Sequence, residues 1–544
     1  MLLPSFDSLR DKFVSLFDKY FVAGLCKVVI FSGVVLYLAS IFLFKDLNCS
    51  SSYESISQFI SSNDTDPTNL SHLVFGLLGS EKAWHYRKNY IESWWRPKLT
   101  RGYLFLDVAP KANLLPWSKN SPPYRVSTNI TKLVKETQHA APIMARMVHG
   151  IKEIFELEEH KGVRWVVMGD DDSIFFLDNI VDVLAKYDHN KYYYFGAQSE
   201  YILSNFWYSF NQGFGGAGFI LSYPLAKALA EDMESCLRRY PFLTSADLIT
   251  MACIVDLGVS FSPLKGLHQI DLTGDISGLL SSHPKVPLMS LHHLDFFLPI
   301  FPSMDRTQSI KHLMKAAKFD QSRLLQQTIC HHRVSNWTFS ISWGYSVHIY
   351  EKIMPRSYLI NPIETFDAWG NEPENPPHYM FNTRSYAKDY CEIPHVFFLK
   401  SIGETWNNSE IWATYSRWAI RRLPGCSADG NHPANYVNKI QVYSPRAKRT
   451  ESRTFMHKYK LIEPRSGAKH RLEKRKKEEE EEEEEEEDDD DRDSLFSQYT
   501  RRCMPVRTLD YSMDRCECCD VIHTVGSNMA KVKLRECSTN EKIA

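Results

Sequence analysis

The sequence predicts an α/β fold, in which helices flank a mixed, largely parallel β-sheet. A transmembrane helix precedes this domain, and a β-rich C-terminal extension follows it. Three observations lead to this prediction. Short apolar runs alternate with amphipathic segments between residues 72 and 257, which is the rhythm of strand–helix units. Residues 21–44 are almost continuously apolar, and residues 337–350 alternate as a half-buried strand does.

The elements follow one another with recognisable start and stop signals. The first strand is predicted over residues 72–79, and Ser80 can cap the helix that follows it. Pro97 stops this helix, and Gly258 stops the last helix of the domain. Further strands are predicted over 103–108, 165–168, 192–196 and 219–221, and further helices over 141–157, 175–187, 225–240 and 247–257.

The bulk composition favours a globular protein without a nucleic-acid partner. The chain has 544 residues, of which 43% are hydrophobic, so it can hold two or more domains with their own cores. The net charge is -2, but Glu478–Asp491 contribute fourteen negative charges, and the remainder therefore carries about +12. Its basic residues are dispersed, and the densest basic cluster adjoins the acidic run, so no nucleic-acid-binding surface is predicted.

The apolar stretch Phe21–Phe44 is predicted to be an uncleaved membrane anchor. At about 1.5 Å per residue, a helix of this length spans about 36 Å, enough to cross a bilayer core of about 30 Å. A cleaved signal peptide is the alternative, but twenty residues precede the stretch and it is too long for a signal sequence. Because most flanking basic residues lie on its N-terminal side, we expect type II topology, with the bulk of the chain in the lumen.

A lumenal location agrees with the glycosylation sequons and the cysteines. The chain has twelve cysteines, of which Cys26 lies in the predicted span, and the odd remainder allows a free thiol or an intermolecular bridge. In the Cys-rich C-terminal segment we expect disulfides rather than zinc. N-glycosylation acceptors are predicted at Asn48, Asn63, Asn69, Asn129, Asn336 and Asn407.

Three consecutive carboxylates, Asp170, Asp171 and Asp172, directly follow an apolar strand. In open α/β sheets, ligands bind outside the carboxyl ends of strands. Neighbouring acids raise one another's pKa unless a cation neutralises them, and hard divalent cations that also hold phosphates suit that role. The triplet therefore predicts a site for a metal and a diphosphate, with an acidic turn of no chemical function as the alternative.

Other segments add candidate groups to this site. Gly213, Gly215 and Gly218 formally match a dinucleotide-binding fingerprint, but no clear strand precedes them, so close backbone packing near a ligand is the better interpretation. Asp247 opens a helix, where it could be an N-cap residue or a catalytic acid. His268 is a candidate metal ligand, and the motif Ser290-Leu291-His292-His293-Leu294-Asp295 offers two rival histidines.

The order and spacing of these motifs resemble those of Fringe-like β-1,3-glycosyltransferases. The motifs are Trp165–Asp172, Gly215–Phe219, Asp247 and Leu267-His268. Features that resemble a plant branch of uncharacterised Fringe-like membrane proteins are Ser290–Asp295, Ser342–Tyr345, Phe381–Arg384 and Cys518–Asp520. The resemblance covers about residues 70–410 and resumes after about 500. It implies a GT-A fold, a UDP-sugar donor, Mn²⁺ or another divalent cation, and inversion at the anomeric carbon.

The resemblance also implies residue roles. Asp172 is the implied direct metal ligand, with Asp170 and His268 beside it, and Asp247 is the implied catalytic base. Because Ala246 stands where relatives often have a second acid, Asp247 is the single candidate. The implied donor-binding residues are Asp171, Arg87, Asp107, Gly215, Gly216, Ala217 and Gly218.

The resulting expectation is a Golgi type II membrane glycosyltransferase that transfers a hexose or N-acetylhexosamine to a glycan or glycoconjugate hydroxyl. The alternatives are a non-catalytic Fringe-like carbohydrate-binding or scaffold protein, and a two-metal phosphohydrolase, for which a second carboxylate cluster is missing. The expected organisation is a cytoplasmic tail (1–20), the anchor (21–44), a lumenal stalk (45–70), the catalytic domain (71–310), a partly β extension (311–440), a disordered basic and acidic linker (441–500) and a Cys-rich segment (501–544).

Overall fold

The computed structural model describes residues 66–157, 160–370, 377–406, 409–424, 426, 434–446, 517–523 and 527–537. The described residues from Pro67 onward form one compact unit. The predicted tail, the predicted span, most of the stalk and most of the acidic linker lie outside the described residues. Within them, no helix is long and apolar enough to cross a membrane.

The N-terminal half of this unit is built on a mixed sheet. Its strands and the short strands beside it are β1 (Leu73–Leu78), β2 (Arg101–Leu106), β3 (Tyr124–Val126), β4 (Trp165–Asp170), β5 (Ile174–Phe175), β6 (Tyr194–Gly196), β7 (Phe219–Ser222), β8 (Phe261–Pro263), β9 (Leu272–Gly274) and β10 (Ser290–Leu291). Among the described residues, seven strands form the main sheet in the order β3-β2-β1-β4-β7-β6-β8.

Most pairings in this sheet are parallel, as the sequence predicts. β1 pairs in parallel with both β2 and β4, and β2 with β3. β7 is the exception, because it runs antiparallel to both β4 and β6. The sequence gives no sign of this reversal, since a strand buried on both faces has the same apolar pattern in either direction.

Helices cover both faces of the main sheet. One apolar cluster joins the sheet to α1 (Glu81–Trp94), and a second joins it to α3 (Pro142–Leu157). The helix α1 begins as expected, because the Ser80 hydroxyl accepts a hydrogen bond from the Ala83 N–H. The remaining helices are α2 (Thr131–Thr137), α4 (Leu177–Leu184), α5 (Ile202–Trp207), α6 (Tyr223–Arg239), α7 (Ala246–Asp256), α8 (Ser277–Ser281), α9 (Arg306–Phe319) and α10 (Arg356–Leu359).

A second, mainly antiparallel sheet forms the C-terminal half. Its strands are β11 (Gln327–His332), β12 (Trp337–Ser342), β13 (Ser346–Tyr350), β15 (His395–Glu404), β16 (Glu410–Arg417), β17 (Lys439–Pro445), β18 (Glu517–Ile522) and β19 (Met529–Glu536), whereas β14 (Phe366–Ala368) pairs with β9. Among the described residues the order is β11-β12-β13-β15-β16-β17-β19-β18. The β-rich extension is therefore confirmed, and regular structure continues to Pro445, beyond the start of the predicted linker.

The Cys-rich segment completes this second sheet. β19 pairs in parallel with β17, so two strands near the C-terminus extend a sheet that begins almost 200 residues earlier. A disulfide between Cys330 and Cys519 closes that long connection, which restricts the unfolded chain. The disulfide interpretation is confirmed for the described cysteines, which pair as Cys236–Cys253, Cys330–Cys519, Cys391–Cys426 and Cys518–Cys537.

Candidate active site

The three acids lie at the carboxyl end of β4, beside the end of β1. The N–H of Asp171 donates to Leu78 O, so the chain stays paired with β1 as it leaves the sheet. Asp171 and Asp172 are then buried, with 2% and 1% exposure, whereas the Asp170 side chain is 26% exposed. The turn is fixed by Ser173, whose hydroxyl accepts from Asp170 N–H and donates to Gly216 O. The carboxyl end of β4 therefore carries two buried carboxylates and one that is partly exposed to solvent.

His292 lies against these acids because two short strands pair there. In the antiparallel pair formed by β5 and β10, Leu291 is opposite Ile174 and Ser290 is opposite Phe175. Since β5 directly follows the acidic turn, the residue after β10 reaches Asp172. The Nε2 atom of His292 lies 3.2 Å from Asp172 Oδ1 and 3.8 Å from Asp170 Oδ2. His292 therefore takes the position beside Asp170 and Asp172 that the sequence predicts for His268.

Arg87 connects two acids of the triplet to Asp295. From α1, its guanidinium donates to Asp171 Oδ1 at 2.7 Å, lies 3.1 Å from Asp172 Oδ2 and donates to Asp295 Oδ2 at 2.9 Å. Tyr90, one helical turn further on, donates its hydroxyl hydrogen to the other Asp295 oxygen. A planar guanidinium suits this arrangement, because it presents several N–H groups in a fixed fork.

Burial and neighbouring charges give the acids different affinities for protons. Burial would raise the pKa of Asp172, but His292 and Arg87 outweigh it and lower that pKa to about 2. Burial and the neighbouring carboxylates raise the pKa of Asp170 to about 7, although His292 opposes the shift. Burial also raises the pKa of Asp171 to about 6, against the effect of Arg87. Asp172 is therefore the most firmly ionised member of the triplet.

These residues fit a divalent cation. One potential ligand atom from each of Asp170, Asp172 and His292 lies within 4.8 Å of the others. Within the described part of the chain, both Asp172 carboxylate oxygens and His292 Nδ1 are buried without a hydrogen bond of good geometry. Carboxylate and imidazole are a donor set that suits Mn²⁺, and buried acceptors without good hydrogen bonds are a reason to expect an additional ligand.

A proton must leave His292 before a cation can bind. Burial lowers the pKa of His292, but Asp172 and Asp170 outweigh it and raise that pKa to about 9. At neutral pH the ring is therefore an imidazolium, paired with the carboxylates. Metal-ligating histidine is neutral, so cation binding at this group is expected to release a proton.

Asp247 lies close to the group formed by Asp170, Asp172 and His292. It stands in the first turn of α7, but Ser245 is the N-cap residue, since its hydroxyl accepts from Leu248 N–H. Asp247 Oδ1 instead accepts a hydrogen bond from Gly215 N–H at 3.0 Å. Burial raises the pKa of Asp247 to about 6, despite that hydrogen bond and His292. This carboxylate is ionised at neutral pH and can still accept a proton, as a general base must.

A cavity of about 140 Å³ connects the base candidate to the acidic triplet. Asp170 and Asp247 both line it, together with Leu78, Met144 and other apolar side chains. The arrangement can hold a reacting group between Asp170, a candidate metal ligand, and Asp247, a carboxylate that can take up a proton.

His268 belongs to another buried group. Its Nδ1 lies 2.7 Å from Glu200 Oε1, and its Nε2 lies 2.9 Å from His283 Nε2. His283 Nδ1 donates to Pro284 O, so a neutral His283 presents Nε2 as an acceptor. Both nitrogens of His268 are therefore engaged, Nδ1 by Glu200 and Nε2 by His283. The structure thus brings His268 to Glu200 and not into the group of Asp170 and Asp172, because the neighbouring strand pair delivers His292 there instead.

The predicted donor-binding residues are distributed around this rim. Gly216 has no side chain where the His292 ring packs, and a Cβ atom there would lie 1.9 Å from that ring. Gly218 adopts a positive φ of 87°, which favours glycine. Ala217 is held by backbone hydrogen bonds with Gln269 and Ser290. Asp107 is exposed, and it accepts a hydrogen bond from the first N–H of α1, so one of its oxygens serves as a helix cap.

Three predicted sequons can be located. Asn69, Asn129 and Asn336 are exposed, which is compatible with glycosylation. Asn48, Asn63 and Asn407 lie outside the described residues.

The protein is an α/β protein in which helices flank a mixed β-sheet. The group of Asp170, Asp172 and His292 at the carboxyl end of β4 is suited to bind a divalent cation. Residues 70–273 match the Fringe-like family model, and residues 204–459 match the family described as protein of unknown function, DUF604. The two matches together cover residues 70–459, and over this part the chain is similar to Fringe-like, glycosyltransferase-related proteins. The predicted resemblance is confirmed at this level, while its plant branch stays a prediction. No curated protein matches the sequence.

Proposed function

We propose that this protein is an inverting, divalent-metal-dependent glycosyltransferase. The donor is a UDP-sugar that carries a hexose or an N-acetylhexosamine, and the acceptor is a hydroxyl of a glycan or glycoconjugate, with a β-1,3 linkage. Membership of a glycosyltransferase-related family supports the reaction class. The observation that carries the proposal is that Asp247 and Asp170 line one cavity, so a base candidate lies beside a metal-binding group.

Asp172, Asp170 and His292 would hold the cation, and a bound cation neutralises the charge that develops on a diphosphate leaving group. Arg87 holds Asp171 and Asp172 in place through two contacts, so the carboxylates do not have to reorganise when the donor binds. Asp247 takes the proton from the acceptor hydroxyl as the oxygen attacks. A single base on the acceptor side is what inversion requires, because the hydroxyl displaces the leaving group in line.

The donor contacts and the cellular setting are also proposals. We propose that Arg87, Asp107, Asp171 and residues 215–218 contact the nucleotide of the donor, as the resemblance to the Fringe-like family implies. We assign His268 no ligand role, since both of its nitrogens are engaged by Glu200 and His283. The predicted anchor at residues 21–44 and the sequons favour a Golgi membrane protein with this domain in the lumen.

The test is UDP release by the full-length protein in detergent, with Mn²⁺ and a panel of UDP-sugars. Asp172→Asn removes the most firmly ionised acid without changing its size and should abolish release. Asp188→Asn, which changes an exposed aspartate in a turn, is the matched control and should retain it. If the wild-type protein releases no UDP and calorimetry detects no Mn²⁺-dependent UDP binding, the non-catalytic carbohydrate-binding or scaffold function replaces this proposal.

A further inference from the structure

A column of aromatic rings extends from the metal-binding group to the protein surface. The rings of His292 and His293 have centroids 3.8 Å apart, inclined by 32°. His293 stacks on Trp369 at 4.4 Å and 23°, and Trp369 packs against Phe296 at 4.3 Å and 49°. The first ring of the column belongs to a metal-ligand candidate, so the far end of the column is connected to that site through three successive ring contacts.

The outer end of this column is exposed apolar surface. Phe296 is 48% exposed and the neighbouring Leu298 is 57% exposed, while Phe297 between them is buried. Trp369 is partly exposed. Contiguous exposed apolar groups beside a polar site often mark a ligand-binding surface, because leaving them in water is unfavourable.

The column is held firmly and adjoins the base candidate. Trp369 N–H donates to Asp271 O at 3.2 Å, and His293 Nδ1 lies 2.9 Å from Asp271 Oδ1. At the inner end, the His292 ring packs directly against Gly216, and the preceding residue, Gly215, donates its N–H to Asp247. The rings therefore continue from the segment that positions the proposed base.

We propose that Phe296 and Trp369 form the platform on which the acceptor sugar, a pyranoside, stacks before transfer. One face of a pyranose carries C–H groups with partial positive charge, and these pack favourably on the negative face of an aromatic ring. Stacking fixes which face of the sugar meets the protein, and the column that carries the platform begins at His292, beside the segment that positions Asp247. This inference rests on the proposed function, and it adds residues that select the acceptor.

The test is saturation-transfer NMR on the full-length protein, with the methyl β-glycosides of galactose, glucose and N-acetylglucosamine as probes. At least one probe should receive most saturation at the protons of its apolar face. Phe296→Ala and Trp369→Ala should each weaken its binding about 10-fold, and Phe296→Tyr should restore it, because a ring is retained. Trp418→Ala, which removes another exposed ring (55%) in the C-terminal half, should have no effect.

Calorimetry of Mn²⁺-dependent UDP binding on the same preparations separates the two proposals. If the wild-type protein binds UDP and both alanine variants bind the sugar normally, the platform is wrong and the proposed function stands. If the variants lose UDP binding along with sugar binding, the rings merely support the metal group and the platform is wrong. If the wild-type protein binds no UDP, the proposed function fails and the acceptor role fails with it. Binding of none of the three probes also overturns the platform.

Discussion

Replacing Gly216 with alanine perturbs the metal-binding group without touching any of its acids. The added Cβ atom would lie 1.9 Å from Cε1 of His292. To restore an ordinary contact of about 3.4 Å, the ring must withdraw by about 1.5 Å. A ring displaced this far cannot keep its present position, in which Nε2 lies 3.2 Å from Asp172 Oδ1. Gly216 does not have a positive φ, so the alanine adds no backbone strain of its own.

We expect Gly216→Ala to weaken Mn²⁺ binding by about 10- to 100-fold, or about 1.4–3 kcal/mol, because one ligand is displaced while both carboxylates stay. Isothermal titration with Mn²⁺ measures this directly. Gly215→Ala is the matched comparison, since its Cβ atom would meet Asp247 Oδ1 at 2.7 Å instead. That variant should lose turnover but keep its Mn²⁺ affinity. Unchanged Mn²⁺ affinity in Gly216→Ala would refute the role given to His292.

Three further predictions follow from the charges of the site. Asp247→Asn should lower kcat/KM about 10²- to 10⁴-fold and leave Mn²⁺-dependent UDP binding intact. The activity of the wild-type protein should fall as pH drops through about 6, because Asp247 then takes up a proton. Arg87→Met should lower the free energy of unfolding, measured with urea, by about 3–5 kcal/mol, because the buried carboxylates of Asp171 and Asp172 lose the cation that pairs with both; an unchanged midpoint would contradict this. In metal-free protein, protonated His292 stabilises the fold fully below pH 6.5, and this stabilisation is lost as pH rises through about 9. Urea denaturation across this pH range should therefore show a falling free energy of unfolding for the wild-type protein. In His292→Gln the fall should be much smaller.

Local signals predict much of the fold. Ser80 caps α1 as expected, and the apolar run before Asp170 forms β4. Asp247 is found in the first turn of α7, as its position after Ser245 indicates. Such features depend on residues close in sequence, so periodicity and capping chemistry are enough to locate them.

Features that depend on distant pairing could not be predicted in the same way. His292 lies beside Asp172 because β5 and β10 pair there. Each of these strands has two residues, which is too short to produce a periodic pattern from which the strand could be predicted. The antiparallel direction of β7 and the addition of β18 and β19 to the C-terminal sheet are also set by tertiary contacts. The motif that contains His292 and His293 was nevertheless visible in the sequence, where both stand as alternatives to His268.

Crystals of the protein soaked with Mn²⁺ and UDP, with data collected at the manganese absorption edge, test the central claim most directly. We predict one anomalous peak within coordination distance of Asp172 and His292, about 2.0–2.3 Å from the ligand atoms, as in other N and O sites for divalent metals. A peak beside His268 and Glu200, or UDP bound without a cation at Asp172, would contradict the account.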